Sequence, residues 1–214
     1  MAPSGSRVHN EKFDPGVGFE LGRPKTVFVL WYLCKCVFFL SAFPWPSGIK
    51  SMVLRAFGAE VGRSVYWKPR VNIHIPWRLK VGEFTWIGEE ACVYNFALVT
   101  VGAHCCLSQR AFICAANHDY TREDMAYRHA PIEIQDGVWI GAQAFVGPGV
   151  TLACDCVVTA GSVVTRSLPG GMVCAGNPCQ PVRPRWKEPE AASGEGAASR
   201  ANAKQSGCRP SDGS

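Results

Sequence analysis

The sequence predicts a mainly β chain: a left-handed parallel β-helix with a helical cap before it and a disordered tail after it. Three observations carry this. Aliphatic residues recur every six positions without a break at Ile134, Ile140, Val146, Leu152, Val158 and Val164. Small residues or valine fill the position four further on, at Val138, Ala144, Val150, Cys156 and Ser162. Neither an α-helix nor an alternating strand has a period of six. A flat triangular coil does, with one short strand and one turn per hexapeptide and one aliphatic side chain pointing inward on each face.

The elements follow in chain order. Residues 1–22 are polar, lack an apolar run behind a basic start, and read as a flexible segment with no signal peptide. Residues 23–60 read as a helical cap. Its apolar run from Thr26 to Phe43 has Lys35 in the middle and is closed by Pro44 and Pro46. That length is borderline for a membrane span, so three readings stand: an amphipathic helix lying on the domain or on a bilayer surface, a true span, or a buried strand pair. Gly48 to Phe57 has helical spacing of Ile49, Met52, Val53 and Phe57, with Gly58 to end it. A solenoid end needs such a cover, because a bare first coil presents unpaired sheet edges.

Residues 61–185 read as the β-helix. The period is visible at Val81, Ile87 and Val93, slips by two residues, and resumes at Val101, Leu107 and Ile113. The slip predicts a bulge or enlarged turn at Val99 and Thr100. The period breaks at residues 115–130, AANHDYTREDMAYRHA, before Pro131 and Ile132 restart it. This segment reads as a loop ejected from the stack, where binding and chemistry tend to reside. Residues 186–214 are rich in Ala, Ser and Gly without hydrophobic periodicity and read as a disordered tail.

Composition narrows the function classes. A net charge of +5 with no dense basic block interleaved with aromatics makes nucleic acid an unexpected partner and suits a small polyanion. The eleven cysteines include no CxxC pair, which argues against a zinc ribbon or thioredoxin-like site. Those in the repeats, among them Cys105, Cys154 and Cys156, read as reduced, small, buried hydrophobes. A cytoplasmic location follows, with contact to the inner face of a membrane left open by the Thr26 to Phe43 run.

Several motifs then take on meaning together. NHDY from Asn117, API from Ala130, GVWIG from Gly137, VGPGVTL from Val146, AGSVVTRSLP from Ala160 and AGNP from Ala175 resemble the hexapeptide-repeat O-acetyltransferases. Their order and spacing match the branch that holds the galactoside, maltose and nodulation-factor enzymes. RAFGAEVG from Arg55 and PWRLKVGEFTWIGEE from Pro76 are similar to acetyltransferases of colanic-acid and exopolysaccharide biosynthesis. The resemblance spans residues 23–185. It implies transfer of an acetyl group from acetyl-CoA, a co-substrate rather than a resident cofactor, to a sugar hydroxyl in glycan biosynthesis. It also implies a homotrimer with sites between prisms and a sugar or glycolipid acceptor.

The chemistry needs a base, since an alcohol holding its proton is a poor nucleophile at neutral pH, and the resemblance places that base at His118. It places coenzyme contacts at Gly141, Ala142, Ala160, Thr165 and Arg166. Arg166 and Arg183 are candidates for the coenzyme phosphates, whose oxygens guanidinium matches well. Gln180 stands where an arginine is common in relatives. The competing reading of the glycine and alanine positions is that they are ordinary tight corners. Asn95 resembles an acceptor-binding asparagine, and Trp139 either lines the acceptor site or packs on a neighbouring subunit. His74, His104 and His129 read as surface or turn residues.

Two other readings compete. A non-catalytic β-helix scaffold, or an acyltransferase acting on serine or a sugar nucleotide, would share the coil. The zinc site of γ-class carbonic anhydrases needs an HxxxxH pair, whereas His118 and His129 are eleven apart. No metal site is expected.

Overall fold

The computed structural model describes residues 7–186, and the tail expected over 186–214 lies outside the described residues except for Trp186. The chain forms a parallel β-solenoid whose strands stack into three sheets. The first sheet holds Glu60–Val61, Leu79–Val81, Val99–Val101, Ile132–Ile134 and Thr151–Leu152. The second begins with Tyr66–Trp67, Trp86–Ile87, Cys106–Leu107, Trp139–Ile140 and Val157–Val158. It closes with the antiparallel pair Met172–Gly176 and Cys179–Pro184. The third stacks Asn72–Ile73, Cys92–Tyr94, Phe112–Cys114, Phe145–Val146 and Val163–Val164.

The period of six is thus the inward column of each face. Ile134, Ile140, Val146, Leu152, Val158 and Val164 are all buried, as are the small residues four positions on. Buried Cys105 and Cys156 fit the reading of the repeat cysteines as small hydrophobes. Cys154 departs from it, being disulfide-bonded.

The outward columns, set by strand register, differ from face to face. On the first sheet Glu60, Lys80, Thr100, Glu133 and Thr151 lie side by side. On the second the column runs Tyr66, Trp86, Cys106, Trp139, Val157, Val173. On the third, after Asn72, it runs Cys92, Phe112, Phe145, Val163. One face is polar and two are apolar. Trp86 and Trp139 are each about half exposed.

The cap is two helices, α1 (Lys25–Phe38) and α2 (Ser47–Ala56). The apolar run is therefore helical as far as Phe38, and among the described residues no helix is long and apolar enough to cross a membrane. Many backbone N–H groups of each coil donate forward, as Gly62 N does to Val81 O, Tyr66 N to Thr85 O and His74 N to Val93 O, while others donate back, as Phe84 N does to Arg63 O. The carbonyls of the first coil that face away from the second have no earlier coil to accept from. The cap supplies one donor per face: Arg55 to Val61 O and Gly62 O at 3.0 and 2.9 Å, the Lys50 Nζ to Lys68 O at 2.9 Å, and the Trp31 Nε1 to His74 O at 3.0 Å. This explains a fully buried lysine, because an unmet buried carbonyl is costly. Lys50→Met keeps the aliphatic stem and removes the donor. It is expected to lower unfolding stability by about 1–3 kcal/mol, measured by denaturant titration.

The slip lies earlier than the sequence predicted. Val99 and Thr100 sit inside a regular strand paired on both sides. The extra residues are in the corner before it, at 95–98, and the preceding coil has the same enlargement at 74–78 with a 3₁₀ turn at Pro76–Arg78. Asn95 locks the two together: its Oδ1 accepts from Ile75 N at 2.9 Å and its Nδ2 donates to Ile75 O and Arg78 O. The ejected segment 115–130 leaves from this same corner one coil later.

Candidate active site

The ejected segment is an antiparallel hairpin. Ala130 N donates to Ala115 O, Arg128 N to Asn117 O and Asp119 N to Ala126 O, with His118 bridged to Tyr127. Asp119 accepts from Thr121, and the Arg122 guanidinium grips Asp124 through two bonds, which fixes the tip. A polar sequence without apolar periodicity therefore still folds, because its backbone groups pair with one another.

The hairpin sets the proton arrangement of His118. Its Nδ1 lies 2.6 Å from the carbonyl oxygen of Met125. A carbonyl can only accept, so Nδ1 carries the hydrogen and the neutral ring keeps its lone pair on Nε2. Asn117 Oδ1 accepts from the His118 backbone N at 2.8 Å, fixing the main chain beside the ring. The imidazole is partly exposed.

Residues 7–22, read from the sequence as flexible, make specific contacts here from His9 onward. His9 N donates to Glu123 O, and Lys12 pairs with the Glu123 carboxylate at 2.7 Å. Phe13 sets its ring edge-on to His118 at 5.4 Å and to Tyr127 at 5.2 Å. Farther along, Phe19 packs on Phe96 and Tyr127, and Arg78 donates to Glu20 O and Phe96 O. Sequence reasoning missed Phe13, Phe96 and Tyr127, because nothing local marks aromatics that meet only when three enlarged corners stack.

His74 belongs to this cluster and not to the surface. It stacks on Phe96 with centroids 5.0 Å apart, and burial, then the nearby Lys35 charge, lowers its pKa from 6.5 to about 4. Tyr94 and Phe28 are its other ring neighbours. The unfolded chain binds this proton more readily than the folded one, so His74 contributes stability that is intact above pH 6.5. That contribution is lost as pH falls from 6.5 towards about 4. Denaturation midpoints measured across that window are expected to fall less steeply for His74→Phe than for the native chain. His129 likewise has its pKa lowered by burial and by Arg78, and its Nδ1 has no partner among the described residues.

The expected coenzyme residues fall in two places. Gly141, Ala142, Ala160 and Arg183 line one groove with Trp139 along the second sheet. Its volume of about 690 Å³ is within the range of small-molecule sites. Thr165 instead lines a recess at the hairpin with Asn117, Tyr120 and Arg128. Arg166 is exposed beside it. The hairpin and the groove thus occupy different corners of one prism.

Three details correct or refine the expectations. Asn95 has no exposed surface and its amide is fully engaged with backbone, so it supports the corner and cannot touch an acceptor directly. Gly141 is small for stacking: a Cβ there would meet Ala160 N at 2.5 Å and the Thr159 carbonyl carbon at 2.7 Å. This favours the tight-corner reading at that position. Trp139 donates from Nε1 to Ser108 Oγ at 2.9 Å and lines the groove while about half exposed. Arg185, not singled out in the sequence, also lines the groove, but its guanidinium is held by Gly137 O and Asp155.

No family model matches the sequence. Among characterised and putative proteins, the putative colanic acid biosynthesis acetyltransferase WcaF of Escherichia coli strain K12 is 34% identical over 171 residues, covering 78% of this chain and 92% of that protein. Galactoside O-acetyltransferase of the same strain is 26% identical over 137 residues, covering 63% and 68%. Among solved structures, the hexapeptide-repeat acetyltransferase VCA0836 of Vibrio cholerae complexed with acetyl coenzyme A superimposes with a TM-score of 0.69 at 22% identity, covering 76% of this chain and 89% of that one.

Proposed function

The chain belongs to the hexapeptide-repeat acetyltransferase family, and on that premise we propose that it moves an acetyl group from acetyl-CoA to a sugar hydroxyl in exopolysaccharide or related glycan biosynthesis. The observation that carries the proposal is His118, whose Nδ1 is tied to the Met125 carbonyl so that Nε2 is the basic nitrogen. In the reaction Nε2 takes the hydroxyl proton as the oxygen attacks the thioester carbonyl. The C–S bond then breaks, and the proton passes from the imidazolium to the departing thiolate. No acyl-enzyme forms. The Gly141 N–H is given to Val158 O at 2.8 Å, so the Ala142 backbone N–H is the candidate to hold the oxyanion. Ala160 and Thr165 would flank the coenzyme arm, with Arg166 and Arg183 near its phosphates.

We further propose a homotrimer. The two apolar outer columns lie on neighbouring faces and the polar column on the third, which suits a ring in which the second sheet of one copy meets the third sheet of the next. Such packing would bring the hairpin recess of one chain to the Trp139 groove of another, completing a site that one chain divides between two corners. The acceptor we favour is a sugar unit carried on lipid, met in the cytoplasm at the inner face of the membrane. The test is incubation with acetyl-CoA and a panel of sugars and glycolipid intermediates, with product masses read before and after mild base. A product heavier by one acetyl group and base-labile supports O-acetylation; a base-stable product would mean an amine acceptor, and no product with any sugar would count against the reading.

A further inference from the structure

We propose that the outer face of α1 is a docking surface for an anionic lipid bilayer, lying in the plane of the membrane. α1 buries Trp31 and Lys35 against the first coil, and the Lys35 Nζ turns inward to Asn72 Oδ1 at 3.2 Å. The one charge within the run is thereby removed from the outside. What remains exposed is an unbroken apolar stripe at helical spacing, Val29, Leu30, Leu33 and Val37, each more than half exposed, with Tyr32 beside it and Leu40 and Phe43 beyond the helix end. A helix packed on a water-soluble domain ordinarily places charged residues there, and contiguous exposed apolar patches mark interaction sites.

Charge decides the occupant. Between Glu20 and Glu60 the chain has no acidic side chain and has five basic ones, Arg23, Lys25, Lys35, Lys50 and Arg55. Lys35 and Lys50 are buried in the cap, while Arg23, Lys25 and Arg55 are exposed. An apolar stripe with exposed Arg23 and Lys25 at the start of its helix, in a cap sequence free of carboxylates, matches anionic headgroups over acyl chains. A second copy would bring the same cations together, and the apolar sheet faces already offer surfaces for self-association. No described helix is long enough to span, so the contact is interfacial.

The stripe is also linked to the catalytic corner. Phe28 on α1 meets His74 at 5.7 Å, His74 meets Phe96 at 5.0 Å, Phe96 meets Tyr127 at 5.3 Å and Tyr127 meets His118 at 4.8 Å. Docking through α1 would hold this row, and His118 at its end, near the membrane. That last step rests on the acetyltransferase reading; the docking itself does not.

The experiment is co-sedimentation of the full chain with phosphatidylcholine vesicles made with and without phosphatidylglycerol, using the native protein, Lys25→Glu and the double variant Leu30→Glu/Leu33→Glu. The native protein is expected to pellet with the anionic vesicles and to be released by salt. The double variant should bind at least about 10-fold less while keeping its assembly mass and its affinity for acetyl-CoA. Lys25→Glu should weaken binding to the anionic vesicles alone. The proposal is overturned if the native protein stays in solution with both vesicles, if it binds both equally, or if the double variant loses assembly mass, which would make the stripe an interface between copies. If no protein turns over acetyl-CoA yet vesicle binding follows this pattern, the docking surface stands and the catalytic reading fails.

Discussion

Replacing His118 with alanine is expected to lower acceptor-dependent turnover by about 10²–10⁴-fold, the range a positioned base contributes, while acetyl-CoA affinity stays within a few-fold of native. The split follows from geometry. His118 sits on the hairpin, whereas Gly141, Ala142 and Ala160 line the separate groove, so removing the imidazole leaves the groove proposed for the coenzyme in place. Its backbone is held by Asn117 and by the Tyr127 bridge, so the hairpin should keep its shape without the ring. Single-turnover measurement of thiol release, beside equilibrium binding of acetyl-CoA, separates loss of chemistry from loss of binding. Equal losses in both would mean that His118 holds the fold or the coenzyme instead of the proton.

The second large effect is expected at Gly141. Any Cβ there would sit 2.5 Å from a backbone nitrogen of the next coil, with the Thr159 carbon and Val158 oxygen also inside 3 Å. Backbone in a stacked coil cannot yield as the end of a flexible side chain can. Gly141→Val should therefore separate the coils locally and cost at least about 3 kcal/mol, the upper part of the range for overpacking. For a domain of this size that is a fall in Tm of roughly 6–12 °C. Because Gly141 lines the Trp139 groove, acetyl-CoA affinity should drop with it. Ala142→Gly, one residue on and only partly buried, is the control and should leave Tm nearly unchanged.

The inward side of the solenoid was legible in the sequence because every coil imposes the same demand on it. An aliphatic residue must fill each face, so the spacing repeats whatever the outside does. The outward columns were not legible. Trp86 and Trp139 share one column through Cys106 yet are far apart in sequence, since the hairpin intervenes. The cap was placed correctly as a cover for the first coil, but its three donors could not be foreseen, because no pattern marks which side chains will meet orphaned carbonyls. Asn95 was misread for a related reason: a polar residue near a predicted site looks like a ligand contact until both of its amide ends are found on backbone. His118 stood out in the sequence because NHDY has a chemical and a family meaning. Phe13 was missed because it reaches the site from more than a hundred residues away.

The most direct measurement is the initial rate of thiol release from acetyl-CoA by the native protein, taken with and without sugar acceptor. The account predicts a slow background that rises with acceptor and saturates, with no acetyl group left on the protein. An acetylated protein formed before acceptor is added would contradict direct transfer, and failure to bind acetyl-CoA would contradict the function itself.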